Sequence, residues 1–415
     1  MLSPARRLAA VFYAYTFLDE FVLLYPVYAL LFTETGLSVA QVSSLFAVWA
    51  LTGILLEVPS GVLADAVSRR LLLVLAPLLG AAGFAAWLAA PSYPVFALGF
   101  VLWGARGALQ SGAAEALLYE ELDRLDRADG YGRVLGRASA VGLVAAMLAI
   151  AVATPVFAAG GYPAVGLASV LASLLCAAVG LALPEHRKPR PAAGAARPPG
   201  DDPGPASYLA VLRAGLAEAR TDRSVRRALL LVPATAAVWG GLEEYLPLLA
   251  ERIVAAPAVP PLVLLVWLGV TVGGLLTPVG QRLSTRAAAG TVALAALALA
   301  VGALSGRPAG FVLIALAFCA FQTATLVVEV RLQERIHGPS RATVTSLAGL
   351  GTELVTIGVY GGYALASTVA GHGLIFALGA VPYLLGAVWL GRPSRAAGRR
   401  AGVAVAGRPG APGSG

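Results

Sequence analysis

The chain has 415 residues, 58% of them hydrophobic and 13% charged, with a mean hydropathy of +0.80. Soluble domains average about 45–50% apolar and about 25% charged, so a water-soluble globular fold is excluded. A net charge of +8 would suit nucleic acid, but the placement of the positive residues assigns that charge to another task.

Apolar runs of roughly 18 residues or more, the length that crosses about 30 Å of hydrocarbon, recur along nearly the whole chain. They predict twelve spans, at 8–32, 40–64, 71–90, 94–118, 134–158, 162–183, 228–250, 259–280, 287–304, 309–333, 342–368 and 372–391. A transmembrane barrel would instead need alternating segments of about 10 residues. The first run follows Arg6 and Arg7 as in a signal peptide, but it is too long and lacks a small-residue cleavage site, so it is expected to be retained.

With the N-terminus inside, all but three of the 30 Lys and Arg residues fall on the cytoplasmic side; the exceptions are Arg252 and Arg307 in opposite loops and Arg106 within span 4. This is the positive-inside pattern, so the charge sets topology. Nucleic acid is dropped as a partner. The expected setting is the cytoplasmic membrane, crossed many times, with both termini inside.

In chain order the spans give an N-terminal six-helix bundle at 1–183, a linker at 184–227, a C-terminal six-helix bundle at 228–391 and a disordered tail at 392–415. The linker runs from Glu185 through a Pro, Ala, Gly and Arg mixture to about Pro205, and Tyr208 to Arg227 reads as a helix lying on the cytoplasmic interface.

The two bundles repeat one another. Asp19 and Glu20 followed by Pro26 in span 1 correspond to Glu243 and Glu244 followed by Pro247 in span 7, the acidic pairs standing at an offset of 224. Gln110, Glu115 and Glu120 of span 4 answer Gln322, Glu329 and Glu334 of span 10, the glutamates at an offset of 214.

An ionisable side chain at the bilayer centre costs at least about 2.5–3.5 kcal/mol on insertion scales, so each one requires a reason. Asp19, Glu20, Arg106, Glu115, Glu243, Glu244 and Glu329 lie in spans 1, 4, 7 and 10, and Glu57 and Glu353 in spans 2 and 11, whereas spans 3, 6, 9 and 12 have none. The first set is expected to line a cavity and the last to face lipid. Arg106 can neutralise Asp19 or Glu20. Carboxylates outnumber this one buried arginine, so some are expected to bind and release protons, with Asp19 and Glu20 first. Pro26, Pro59, Pro233, Pro247 and Pro278 permit bends in these spans.

Cys176 and Cys319 sit in apolar spans without metal or CxxC spacing, and the three histidines are scattered. Neither a nucleophile motif nor a GxxxxGK[ST] loop occurs, so an enzyme, an ATP-driven pump and any cofactor are not expected.

The loop between spans 2 and 3 packs Gly61, Leu63, Ala64, Asp65, Arg69 and Arg70 into ten residues. This resembles the signature loop of the major facilitator superfamily, with Ser68 and Ala66 where that family often has glycine and arginine. Arg106, Gln110 and Gly112 resemble the buried arginine element of its helix 4, tied to proton transfer in proton-coupled members. The stretch Ser111 to Glu120 is similar to a subset of bacterial members, and Arg341 to Val344 with Ser346 to the start of helix 11. The glycines that follow the proline in helix 5 of drug/proton antiporters are missing after Pro155.

The resemblance implies an all-α membrane protein of two pseudo-symmetric six-helix bundles that works by alternating access, with Gly61, Asp65, Arg69 and Arg70 as a cytoplasmic gate. The expected function is proton-coupled efflux of small amphipathic or cationic compounds by a monomer, of drug-efflux type. Cavity acids with nearby Trp49, Trp103, Tyr25 and Trp239 favour cations. The alternatives are a proton-coupled importer of a nutrient or metabolite, an exchange coupled to another ion, and, less favoured, a channel or membrane-embedded enzyme.

Overall fold

The computed structural model of the chain describes residues 3–186, 223–335 and 341–391, and every regular element among them is helical. The interfacial helix expected at 208–227 lies almost entirely outside these residues, as does the tail at 392–415.

Seven helices among the described residues are long and apolar enough to cross a membrane. One of them supplies spans 5 and 6, because Tyr131–Leu181 is interrupted at Gly161, whose φ of 60° suits glycine. Spans 1, 4, 7 and 11 are not among the seven, and the first three of these are split. Span 1 is Pro4–Glu20 and Tyr28–Glu34, span 4 is Tyr93–Gln110 and Ala113–Arg124, and span 7 is Arg223–Glu243 and Leu246–Glu251. These are three of the spans that carry charge.

The remaining spans are Val39–Ala66 and Arg69–Ala89 in the first half, then Val259–Leu275 with Thr277–Gln281, Thr285–Leu304, Gly310–Arg335, Arg341–Ala366 and His372–Gly379 with Val381–Gly391. Each half forms its own bundle. The halves meet where span 2 packs on span 11 and span 5 on span 8.

Small residues set the closest crossings, as expected where lipid removes the usual hydrophobic drive. A Cβ at Gly269 or Gly273 of span 8 would stand 2.3 Å from the carbonyl oxygen of Ala315 or Cys319 in span 10. Thr323 Oγ1 seals this seam by donating to the Gly273 carbonyl at 2.8 Å.

The charge-free spans 3, 6, 9 and 12 turn large apolar side chains outward, including Leu75, Leu175, Leu294 and Leu385. That surface suits lipid. The principal core lies at the end opposite the basic loops, where Phe32, Phe46, Trp87, Phe96 and Phe100 are fully buried. Phe46 of span 2 contacts Tyr245 of span 7 and Tyr360 of span 11, ring centroids 5.4 and 5.5 Å apart, so this packing joins the bundles. Tyr245 also donates to Ser43 Oγ at 2.7 Å.

Candidate functional site

A helix that stops inside a membrane exposes carbonyls with no intrahelical partner. The helix Pro4–Glu20 stops beside the acidic pair, and Pro26 has no N–H with which to continue it. Arg106 of span 4 satisfies the stump: its Nη2 donates to the Asp19 carbonyl oxygen at 2.6 Å and to Asp19 Oδ1 at 2.5 Å. A cation here also complements the negative end of the helix dipole. Further along the break, the Leu24 N–H donates to Ser169 Oγ of span 6 at 3.0 Å.

Of the two partners open to Arg106 in the sequence, the structure therefore selects Asp19. Gln110 Nε2 also donates to Asp19 Oδ1 at 2.7 Å and to the Tyr15 hydroxyl oxygen at 2.9 Å, while Tyr15 donates to the Leu73 carbonyl at 2.8 Å. Cys176 Sγ lies 3.9 Å from Asp19 Oδ1. Spans 1, 3, 4 and 6 are thus tied around one carboxylate. Arg106 Nη1 is buried with no hydrogen-bond partner among the described residues.

Glu20 faces the other way, into a cavity of about 560 Å³ that it shares with Glu115, Gln110, Phe12 and Trp267. Gly112 makes this wall possible, because the turn that splits span 4 sets its φ at 72°. A second cavity of about 460 Å³ is lined by Glu57, Glu244 and Glu353 with Trp49 and Tyr360. Glu244 also borders a space of about 20 Å³ with Glu243, Tyr25, Tyr28 and Trp267.

Six of the carboxylates thus gather around these spaces: Glu20, Glu57, Glu115, Glu243, Glu244 and Glu353. Glu329 does not join them; it is half-buried on the unbroken helix Gly310–Arg335. The sequence missed Trp267, whose only signal was a tryptophan inside an apolar run. It also missed the bond from the Tyr28 hydroxyl to Glu244 Oε2, which joins the two halves.

At the basic end, Ser68 caps span 3 by accepting from the Leu71 N–H at 3.1 Å. Glu185 accepts from the Ser68 hydroxyl and from the Arg69 N–H, the latter at 2.8 Å, and the Arg69 guanidinium pairs with Glu120. Arg70 is exposed. Gly61 and Asp65 belong to the helix Val39–Ala66, but the Asp65 side chain lies outside the described residues.

Beside this cluster, Glu121 is buried and accepts from the His186 N–H at 2.7 Å and from Arg124 Nε at 3.1 Å, with His186 Nδ1 3.0 Å away. Burial alone would raise its carboxyl, but the His186 amide and ring together with Arg124 outweigh that and hold it below the ordinary value of 4.5.

Residues 9–357 match the family described as Major Facilitator Superfamily. The chain belongs to that superfamily. No curated protein matches it. Among solved structures, this superfamily member resembles the nucleoside transporter NupG at a TM-score of 0.69, with 14% identity, 95% of this chain and 100% of that one covered. A bacterial homologue of the human lysosomal transporter Spinster, in an inward-facing and unoccupied conformation, gives a TM-score of 0.67 with 17% identity over 95% and 100% of the two chains. The D-xylose–proton symporter gives 0.62 with 14% identity over 93% and 96%. At these identities the likeness is one of fold. The major facilitator assignment makes this a multi-pass membrane transporter that works as a secondary carrier of small molecules.

Proposed function

We propose that this carrier exports small amphipathic cations across the cytoplasmic membrane in exchange for protons, as a monomer, by alternating access. The observation that carries the reading is the composition of the two large cavities. Their walls hold Glu20, Glu115, Glu57, Glu244 and Glu353 together with Trp267, Trp49 and Tyr360, and among the described residues no Lys, Arg or His lines either one. Carboxylates beside aromatic faces attract organic cations, and a low-dielectric surround strengthens that attraction.

The bundles at 1–183 and 228–391 are the moving bodies in this reading, joined by the linker at 184–227. The first cavity reaches helix ends that carry the basic loops, through Glu115, Leu135 and Ser139, while the aromatic core fills the opposite end. That arrangement suits a carrier open to the cytoplasm. Asp19, already held by Arg106, sets the geometry of the first cavity, and Glu20 is its freer acid. We assign the pair to proton exchange, and Arg69, Arg70, Gly61 and Asp65 to the cytoplasmic gate.

The test is substrate-driven pH change in proteoliposomes carrying the purified protein, with lipophilic cations, sugars and amino acids as candidates. Proton movement coupled to a cation, lost when Asp19→Asn and Glu20→Gln are combined, is the expected result. Coupled uptake of a neutral sugar or an amino acid, with no response to cations, would replace the export reading with nutrient import.

A further inference from the structure

Glycine weakens a helix interior, because it loses more backbone freedom on folding than alanine does. Close helix contact accounts for some of the glycines here: a Cβ at Gly104 would stand 2.8 Å from Thr52 Cβ, and one at Gly241 would stand 2.9 Å from Val359 Cγ1. Gly53, Gly107 and Gly240 are different. They lie within the helices of spans 2, 4 and 7, none has a positive φ, and a Cβ at any of them would meet nothing within 4 Å among the described residues. All three line the cavity of about 460 Å³. Neither backbone conformation nor helix packing calls for glycine at these positions, whereas the open space of the cavity does.

The residues around them are ordered along the helices. On span 2 the cavity wall runs Trp49, Gly53, Glu57, each four residues from the last and so on one helix face. On span 11 Tyr360, Thr356 and Glu353 follow the same order. Trp49 contacts Phe100 and Tyr360 contacts Phe46, so both rings lie toward the aromatic core and both acids toward the basic loops. At 1.5 Å per residue, ring and acid are separated by about 12 Å along span 2. Gly53 stands midway. Gly240 shares the level of Thr356, since a Cβ on its neighbour Gly241 would have Thr356 Cγ2 at 3.7 Å.

We propose that Gly53, Gly107 and Gly240 are specificity-determining positions: they hold open a slot for the ring system of a cationic substrate, which lies among them with its charged nitrogen toward Glu57 and Glu353. A linear chain needs no such breadth and gains nothing from missing side chains on three separate helices. A fused ring system fills it, with Trp49 and Tyr360 at its inner edge. The remaining acid of this wall, Glu244, is already engaged by the Tyr28 hydroxyl. A side chain added at any of the three glycines takes volume from the substrate without striking the protein, so ring-size preference should change while folding does not.

This inference rests on the cation-export reading, and a graded series separates the two. Full-length protein in nanodiscs is titrated calorimetrically with benzyl-, naphthylmethyl- and anthracenylmethyl-trimethylammonium, and with n-decyltrimethylammonium as the linear cation. Affinity of the native protein should rise with ring number. A single methylene in an apolar pocket changes discrimination by about tenfold or more, so Gly53→Leu and Gly240→Leu should each weaken the three-ring cation at least that much and the one-ring cation far less. Gly53→Ala and Gly240→Ala should shift the series in the same direction by a smaller factor, and they keep the test decisive if a leucine variant fails to fold. Both alanine variants should melt no lower than the native protein, a result that a packing role for these glycines would not give.

Equal weakening of one-ring and three-ring cations overturns the slot, as does unchanged binding of the three-ring cation in every variant or an alanine variant that melts below the native protein. Binding of the linear cation with none of the aryl cations overturns the slot while leaving cation export standing. Absence of binding by every cation overturns both.

Discussion

Tyr28 in the first half and Glu244 in the second are joined by a hydrogen bond in which the tyrosine hydroxyl donates to the carboxyl oxygen Oε2. Tyr28 opens the helix after one break and Glu244 stands in the turn of the other, so the bond ties one interrupted span to the other at the floor of the cavities. In the alternating-access reading proposed above, this bond must be released for the aromatic end to open.

Tyr28→Phe keeps the ring contacts and removes the donor. A buried hydrogen bond contributes about 0.5–1.5 kcal/mol net, so the population open at the aromatic end should rise by up to roughly tenfold. Spin labels at Ala40→Cys and Ala255→Cys, with Cys176 and Cys319 replaced, measure this as a longer-distance component. An unchanged distance distribution would show that the bond does not hold the end shut.

Arg106→Ala removes the partner of a buried carboxylate and the cap of a broken helix together. Loss of one member of a buried pair costs about 3–5 kcal/mol. Thermal unfolding in detergent should fall accordingly, and adding Asp19→Asn should restore part of the loss. If the double variant is no more stable than the single one, the pairing is not the source of the stability.

Glu121 gives a pH dependence at the basic end. Its carboxyl is depressed in the folded protein, so its contribution is present above the ordinary glutamate value of 4.5 and is lost as pH falls through the folded value. The stability gap between the native protein and Glu121→Gln should therefore close on acidification below that point. A gap that persists there would reverse the assignment.

Gly273→Ala drives a methyl group into the Cys319 carbonyl, where a Cβ would stand 2.3 Å away. Overpacking of this kind costs about 1–3 kcal/mol. Melting should drop while surface expression shows insertion intact; a variant as stable as the native protein would mean that spans 8 and 10 separate at no cost.

The spans and their pairing into halves are legible in the sequence because lipid imposes a long apolar run on every crossing. The breaks in spans 1 and 7 are signalled by Pro26 and Pro247 near the acidic pairs. The partner of Arg106 is not legible, since Asp19 and Glu20 are adjacent and only helix rotation decides which one meets span 4. The repeat also reads as more regular than it is. Glu115 stands beyond a glycine-built break, whereas Glu329 stands on a continuous helix in which Leu326 takes the place equivalent to Gly112. Tyr28 and Glu244 are 216 residues apart, and no local pattern announces a contact of that kind. The linker helix and the Asp65 side chain lie outside the described residues.

The two interrupted spans are supported differently. The stump of span 1 is fastened inside its own bundle by Arg106, Gln110 and Ser169. In span 7, the bond from Tyr28 to Glu244 and the contact of Tyr245 with Ser43 both come from the opposite bundle. When the halves part at that end, the first break keeps its fastenings and the second loses these two. Parting the halves therefore loosens the break of span 7, left with the stack of Tyr245 on Tyr363 of its own bundle, more than the break of span 1.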